Sequence, residues 1–254
     1  MNENWLDRTE LMIGKENVEK LKSSSVLVAG VGGVGGIASE MLCRAGIGRL
    51  SLIDADTVDL TNLNRQTAAL HSTLGKGKVE VLAQRFLDIN PEIKLDIYPL
   101  YLEENNIGEI LEKTRPDCIL DAIDTLGPKV MLSVQALKRG IPIVACMGAG
   151  ARLDPEKIRC TDISKTFSCP LAKAFRHGLA QHGIRHGVRA VFSTENAIRS
   201  AIRQEETLRG KRSCTGTLSF MPNLFGCHCA AEVIRLLLPE GETDGSERGP
   251  ESVL

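Results

Sequence analysis

The stretch that most constrains this chain is SVLVAGVGGVGG, residues 25–36. An apolar run of strand length ends at glycine, and five glycines stand within the next seven positions. A segment of helical spacing follows over 34–46 and stops at Gly46. A strand that turns into a helix through glycines lets backbone N–H groups approach a phosphate at the helix start. Gly30, Gly32 and Gly35 fit G-x-G-x-x-G, with Gly33 inside the loop, and Asp54 follows where an acidic residue holds a ribose in dinucleotide folds. The spacing alone admits NAD, FAD or ATP, and also a tight turn with no ligand.

The first half continues as an alternation. Strand patterns at 25–30, 49–56, 93–99, 117–123 and 142–148 are separated by helical patterns at 34–46, 74–90, 107–114 and 129–140. Short connections between alternating elements predict an α/β fold of the Rossmann-like, doubly wound kind, with a mostly parallel sheet. The glycine loop then lies at the carboxyl end of the first strand, where such sheets bind ligands. The second half breaks the rhythm. Strand patterns at 157–164 and 215–223 flank a long stretch without clear periodicity, expected to be functional or mobile. A closing amphipathic helix is expected over 224–238. The reading is a single domain over 1–238, with a nucleotide-binding half at 1–150 and an elaborated, partly mobile half at 151–238. Five acids among Gly, Ser and Pro predict a disordered tail over 239–254.

Charge is distributed unevenly. Residues 163–214 hold ten basic and three acidic side chains, a net +7 in a chain whose total is −1, which leaves −8 for the rest. Such a segment is the footprint of a polyanion-binding surface or a solvated loop, and charge alone does not choose. No run of eighteen uncharged apolar residues predicts a membrane span, and the polar start MNENWLDRTE does not read as a signal peptide, so a cytoplasmic protein is expected. The eight cysteines include no C-x-x-C pair, so no zinc ribbon is expected, and CHC at 227–229 sits in a helical pattern that sends its two thiols to different faces. The spacing assigns no role to Cys214, Cys227 or Cys229. His177, His182 and His186 stand among Gly and Arg, which argues against a preformed metal cluster.

The segment after the second strand is more selective than the glycine loop. DADTVDLTNLNRQ runs from Asp54 to Gln66 and carries Asp56, Asn62 and Arg65, and GKGK ends on Lys78 at a predicted helix start. Arg65 offers a planar fork and Lys78 a point charge for phosphate oxygens. LDAIDT ends a strand with Asp121 and Asp124, and a carboxylate at that edge can hold Mg2+ through waters. Each residue alone reads as a surface charge or a cap. Together, at the carboxyl ends of successive strands, they outline a site for a triphosphate rather than a nicotinamide.

These motifs resemble the adenylating domain of the ubiquitin-activating and HesA/MoeB/ThiF superfamily. The resemblance implies ATP over the glycine loop, attack of a substrate carboxylate on the α-phosphate, and departure of pyrophosphate. It implies that Gly32 and Gly33 contact phosphate through backbone N–H groups, Asp54 binds the ribose, and Asn62 and Lys78 hold phosphates. It further implies that Arg65 is an arginine finger entering the neighbouring subunit's site of a homodimer, that Asp124 organises Mg2+, and that Arg8 crosses the dimer.

Within that superfamily, LDAIDTLGPKVML, GAGARLDP, TDISKT and VFSTE are similar to the tRNA threonylcarbamoyladenosine dehydratases, over about Leu6 to Leu238. The similarity implies ATP-dependent cyclisation of the threonylcarbamoyl group on adenosine 37 of tRNA. It also gives the basic stretch a use, with Lys165, Lys173, Arg176 and Arg185 as the tRNA-binding candidates. The other reading is an adenylyltransferase acting on the C-terminus of a ubiquitin-like sulfur carrier; those enzymes usually carry two C-x-x-C zinc pairs, absent from this sequence. Relative to the family pattern, the stretch between Glu195 and Thr215 is short, and Gly36 stands where Ser or Cys is usual.

Overall fold

The computed structural model describes residues 4–204 and 213–238. Two short helices, α1 (Asp7–Ile13) and α2 (Lys15–Ser23), lead into β1 (Ser25–Ala29). Then α3 (Gly35–Arg44), β2 (Arg49–Ile53), α4 (Lys78–Ile89), β3 (Lys94–Tyr98), α5 (Glu104–Thr114), β4 (Cys118–Asp121), α6 (Leu126–Lys138) and β5 (Ile143–Cys146) alternate. β6 (Ile158–Asp162), α7 (Pro170–Gln181) and β7 (Arg189–Ser193) follow. A small hairpin of β8 (Ile202–Gln204) and β9 (Ser213–Thr215) precedes α8 (Phe220–Leu237).

Seven strands form one sheet in the order β3-β2-β1-β4-β5-β7-β6. All neighbours are parallel except β6, which runs antiparallel to β7 on the edge. This is the doubly wound, Rossmann-like sheet that the alternation predicts. The chain builds outward from β1 to β3, then returns to add β4 on β1's other side. The crevice at that reversal is where such sheets place ligands.

The inner strands β1, β2, β4 and β5 are buried on both faces, and period-2 alternation sorts their side chains. Val26 and Val28 enter a core shared with α3, α4 and α8. Leu27 and Ala29 enter the opposite core, shared with α5, α6 and α7. α8 packs on α3 so closely that a Cβ on Gly226 would lie 2.2 Å from Ile37 Cγ2. Among the described residues, no helix is long and apolar enough to cross a membrane.

The second half differs from its sequence reading in two places. Residues 215–223 do not form a strand: β9 ends at Thr215 and α8 starts at Phe220. Pro222 lies in the first turn of α8, where a missing N–H costs nothing, so the helix begins before it. The basic stretch is not irregular either. It contains α7, which buries Ala172, Phe175 and Leu179 along one face, and β7, whose last four residues are buried. Arg209, Lys211, Arg212 and the tail from Pro239 lie outside the described residues.

Candidate active site

The glycine loop connects β1 to α3 through conformations that exclude side chains. Gly30 has φ +83°, and a Cβ there would lie 2.9 Å from the Ala122 carbonyl oxygen of the neighbouring strand's extension. A Cβ on Gly35 would lie 1.8 Å from the Gly30 carbonyl oxygen, so only glycine closes this turn. α3 begins at Gly35 with no side-chain cap, which leaves its first N–H groups for an anion.

Asp54 follows β2 directly. One carboxylate oxygen accepts from Val31 N at 2.8 Å and the other from Asp56 N at 2.9 Å. The carboxylate therefore braces the glycine loop and stands over it. Asn62 lies in a 3-10 turn and accepts from Asp59 N at 3.1 Å in a reciprocal cap, which fixes its side chain. Lys78 opens α4 with its side chain buried, and its ammonium lies 2.9 Å from the Asp56 carboxylate. Tyr101 donates to the other Asp56 oxygen at 2.9 Å; no sequence signal singled it out. Asp56 thus holds Lys78 in place rather than standing apart as a separate ligand.

Arg65 donates to the Thr61 carbonyl at 2.9 Å and to Asn64 Oδ1 at 2.8 Å. Its stem runs beside the loop: a Cβ on Gly33 would meet Arg65 Cγ at 3.3 Å and Pro222 Cβ at 3.2 Å. The start of α8 therefore forms a third wall of the crevice, a role the 215–223 strand reading hid. Arg8 is elsewhere. It is exposed on α1, and Leu6 just before it packs on Gly46, beyond the far end of α3. A ten-residue helix spans about 15 Å, so Arg8 stands on the opposite end of the sheet from its own glycine loop. Leu11 and Met12, its helix neighbours, are 87% and 83% exposed.

The carboxyl end of β4 separates its two acids. Asp121 and Lys129 are wholly buried and 3.0 Å apart. Lys129 also donates to the Ile123 carbonyl at 3.2 Å and lies over the Phe175 ring. Burial pushes the Asp121 carboxyl up, against the Lys129 charge and the Ile123 N–H that oppose it. Asp121 is thereby committed to the core and is no candidate for a metal. Asp124 is exposed at the same edge, with Thr125 Oγ1 3.3 Å from its Oδ1.

Of the basic candidates, Lys165, Lys173 and Arg185 are exposed on the β6–β7 side. Arg176 is half-buried and donates to the carbonyl and hydroxyl of Thr166, tying α7 to the preceding turn. Burial pushes the thiols of Cys43 and Cys160 up to about 11 and that of Cys118 up to about 12. The Cys229 thiol is likewise raised, by its contact with Cys146 and by burial, while Cys227 is half-buried on another face of α8. None of these five is a ready thiolate nucleophile near neutral pH. Among the described residues, no group of three His, Cys, Asp or Glu side chains is placed to hold a metal ion.

The fold and the sequence are shared with known proteins. The model of the ThiF family matches residues 6–248. The tRNA threonylcarbamoyladenosine dehydratase of Bacillus subtilis is 40% identical over 92% of this chain and 95% of its own length. The Escherichia coli tRNA N6-threonylcarbamoyladenosine dehydratase in complex with AMP superposes with a TM-score of 0.82 at 32% identity, over 91% of this chain and 92% of that one. The same Escherichia coli enzyme in complex with ATP gives 0.81 at 32% identity, with the same coverage.

Proposed function

The chain belongs to the ThiF family, and from that premise we propose that it dehydrates N6-threonylcarbamoyladenosine at position 37 of tRNA at the expense of ATP, passing through a carboxylate adenylate. Residues 1–238 act as one adenylating domain. The observation that carries this reading is Asp54 bonded to the glycine loop and the Arg65 stem beside Gly33, with Lys78 held by Asp56 two residues beyond Asp54, in a fold shared over nine-tenths of its length with a dehydratase solved with ATP.

The chemistry follows from what each group can do. N–H groups of Gly32, Gly33 and the start of α3 take phosphate oxygens. The Asp54 carboxylate, already oriented by two backbone N–H groups, accepts from the ribose hydroxyls. Asn62 and Lys78 bear on the phosphates, with Lys78 held by Asp56 so that its charge is in place before substrate arrives. The substrate carboxylate attacks the α-phosphorus and pyrophosphate leaves. A group within the same modification then attacks the activated carbonyl, and AMP leaves carrying one former carboxylate oxygen. Charge builds on the phosphate oxygens in the first step, and fixed cations stabilise it without reorganisation. The exposed Asp124 carboxylate is suited to hold Mg2+ through water; the ion neutralises phosphate charge. No thiolate is needed in this scheme, in keeping with the raised thiols.

The protein is proposed to act as a homodimer. The stem of Arg65 on its own Gly33 favours service in its own subunit's site over the neighbour's. Arg8, exposed on the helix that carries exposed Leu11 and Met12, is the proposed group that crosses to the partner. Lys165, Lys173 and Arg185 are the surface for tRNA phosphates, where loss of one contact weakens all tRNAs alike. The experiment is tRNA-dependent exchange of labelled pyrophosphate into ATP. Exchange that requires threonylcarbamoylated tRNA supports the reading; exchange that requires a carrier protein with a diglycine tail, and ignores tRNA, supports the adenylyltransferase instead.

A further inference from the structure

Among the described residues, the Arg152 guanidinium has no carboxylate partner. Arg152 follows β5 in the segment GAGARLDP, and its side chain is 2% exposed. Nη2 donates to the Ser168 carbonyl at 3.3 Å, while Nε and Nη1 have no partner. A buried cation without a counter-charge is costly.

The described carboxylates close by in this region have other partners. Glu195 accepts from Leu153 N at 3.0 Å and Asp154 N at 3.1 Å. Asp154 accepts from Glu156 N. From Ile163 to Thr194 the sequence contains no acid.

The surroundings suit an anion. Ser168 immediately precedes α7, a twelve-residue helix whose N-terminus has no side-chain cap. Its first N–H groups and its dipole favour an anion there. The site is at the carboxyl end of the sheet, because a Cβ on Gly148, just beyond β5, would lie 4.0 Å from Cys169 Sγ. The segment before α8 links it to the nucleotide crevice: Gly216 accepts from Ala151 N at 2.8 Å, and Thr217 from Asn64 Nδ2 at 3.2 Å. Ser168 is exposed, and a single 3.3 Å bond holds its carbonyl to the guanidinium.

We propose that Arg152 and the N-terminus of α7 form the seat for an oxyanion of the RNA substrate, which takes the place of the Ser168 carbonyl on the guanidinium. Release of the Ser168 carbonyl frees the Nε–Nη2 edge, whose two parallel N–H bonds match a carboxylate or a phosphate. That the anion belongs to RNA rests on the dehydratase reading. Two sources supply this chemistry, the carboxylate of the threonylcarbamoyl group and a backbone phosphate of the anticodon loop.

The test measures binding of two probes by calorimetry to the full chain and to Arg152→Met and Arg152→Lys. Threonylcarbamoyladenosine nucleoside carries the carboxylate and no phosphate; an unmodified anticodon stem-loop carries phosphates and no such carboxylate. The seat predicts that Arg152→Met weakens one probe at least tenfold, which identifies the source. Arg152→Lys, charged but without the fork, weakens the same probe by a smaller factor, and ATP affinity stays within twofold for both. Arg152→Met is expected to melt no lower than wild type, because it removes an unanswered charge. Unchanged affinities for both probes in either variant overturn the proposal and leave Arg152 a structural residue. If the wild type binds neither probe, the dehydratase reading fails on its own, and inorganic phosphate then tests the seat alone: it must raise the melting temperature of wild type and not of Arg152→Met, and equal shifts overturn it.

Discussion

The Lys129 ammonium and the Asp121 carboxylate lie 3.0 Å apart with both side chains wholly buried. The pair pins the chain between β4 and α6, since Lys129 reaches the Ile123 carbonyl and Asp121 accepts from Ile123 N. That short segment delivers Asp124 to the crevice. Lys129→Met leaves a buried carboxylate without its counter-charge and should cost about 3–5 kcal/mol in urea denaturation. The double variant Lys129→Met/Asp121→Asn should recover a large part of that loss, because it removes both charges. Equal stability of the single variant and the wild type would show the pair to be unimportant.

Glu40 makes a pH-dependent contribution. Burial raises its carboxyl, but hydrogen bonds and charge from Arg85 and Arg44 outweigh that and hold it below its ordinary value of 4.5. A carboxyl held low in the folded state contributes stability that is present above that value and is lost as pH falls through the folded one. Glu40→Gln should therefore destabilise by roughly 1–2 kcal/mol at neutral pH, since both arginines keep solvent. The difference from wild type should shrink below pH 4.5 in melting experiments across pH.

Arg65→Ala should lower the rate of adenylate formation about 100-fold or more, by comparison with removal of other transition-state charge contacts. Its reach is tested by mixed dimers of Arg65→Ala with Lys78→Met. If Arg65 serves its own subunit, each site of the mixed dimer lacks one group and activity stays at background. Recovery to a substantial fraction of wild type would place Arg65 in the partner's site.

Gly35→Ala tests the loop itself. The added Cβ has only 1.8 Å to the Gly30 carbonyl oxygen, so the turn must open. The variant should lose ATP binding in calorimetry and melt several degrees lower, in line with the cost of strain at a close backbone approach. Wild-type affinity would mean that the loop is not the phosphate cradle.

The parts legible in the sequence were those with a short-range physical signature. SVLVA, RLSLI and CILD are strands because they are apolar runs of strand length buried on both faces, and the turn at Gly35 requires glycine for a steric reason that spacing exposes. Lys78 at a helix start was readable because GKGK breaks the preceding loop. The second half was harder. PLAKAFRHGLAQ has apolar residues at helical spacing, but Gly, His and Arg among them resemble a loop, and only packing on the sheet through Phe175 decides. RAVFS is too short a run to be separated from its basic surroundings. The commitments of Asp121 to Lys129, of Asp56 to Lys78 and Tyr101, and the isolation of Arg152 depend on residues distant in the chain, which spacing does not bring together.

The most direct measurement is the mass of the nucleoside at position 37 after tRNA bearing threonylcarbamoyladenosine is incubated with the protein, ATP and Mg2+. The account predicts loss of about 18 mass units, one water, by way of an activated covalent intermediate, with AMP and pyrophosphate formed in step with it. An unchanged nucleoside mass while ATP is consumed to adenylate a carrier protein would contradict it.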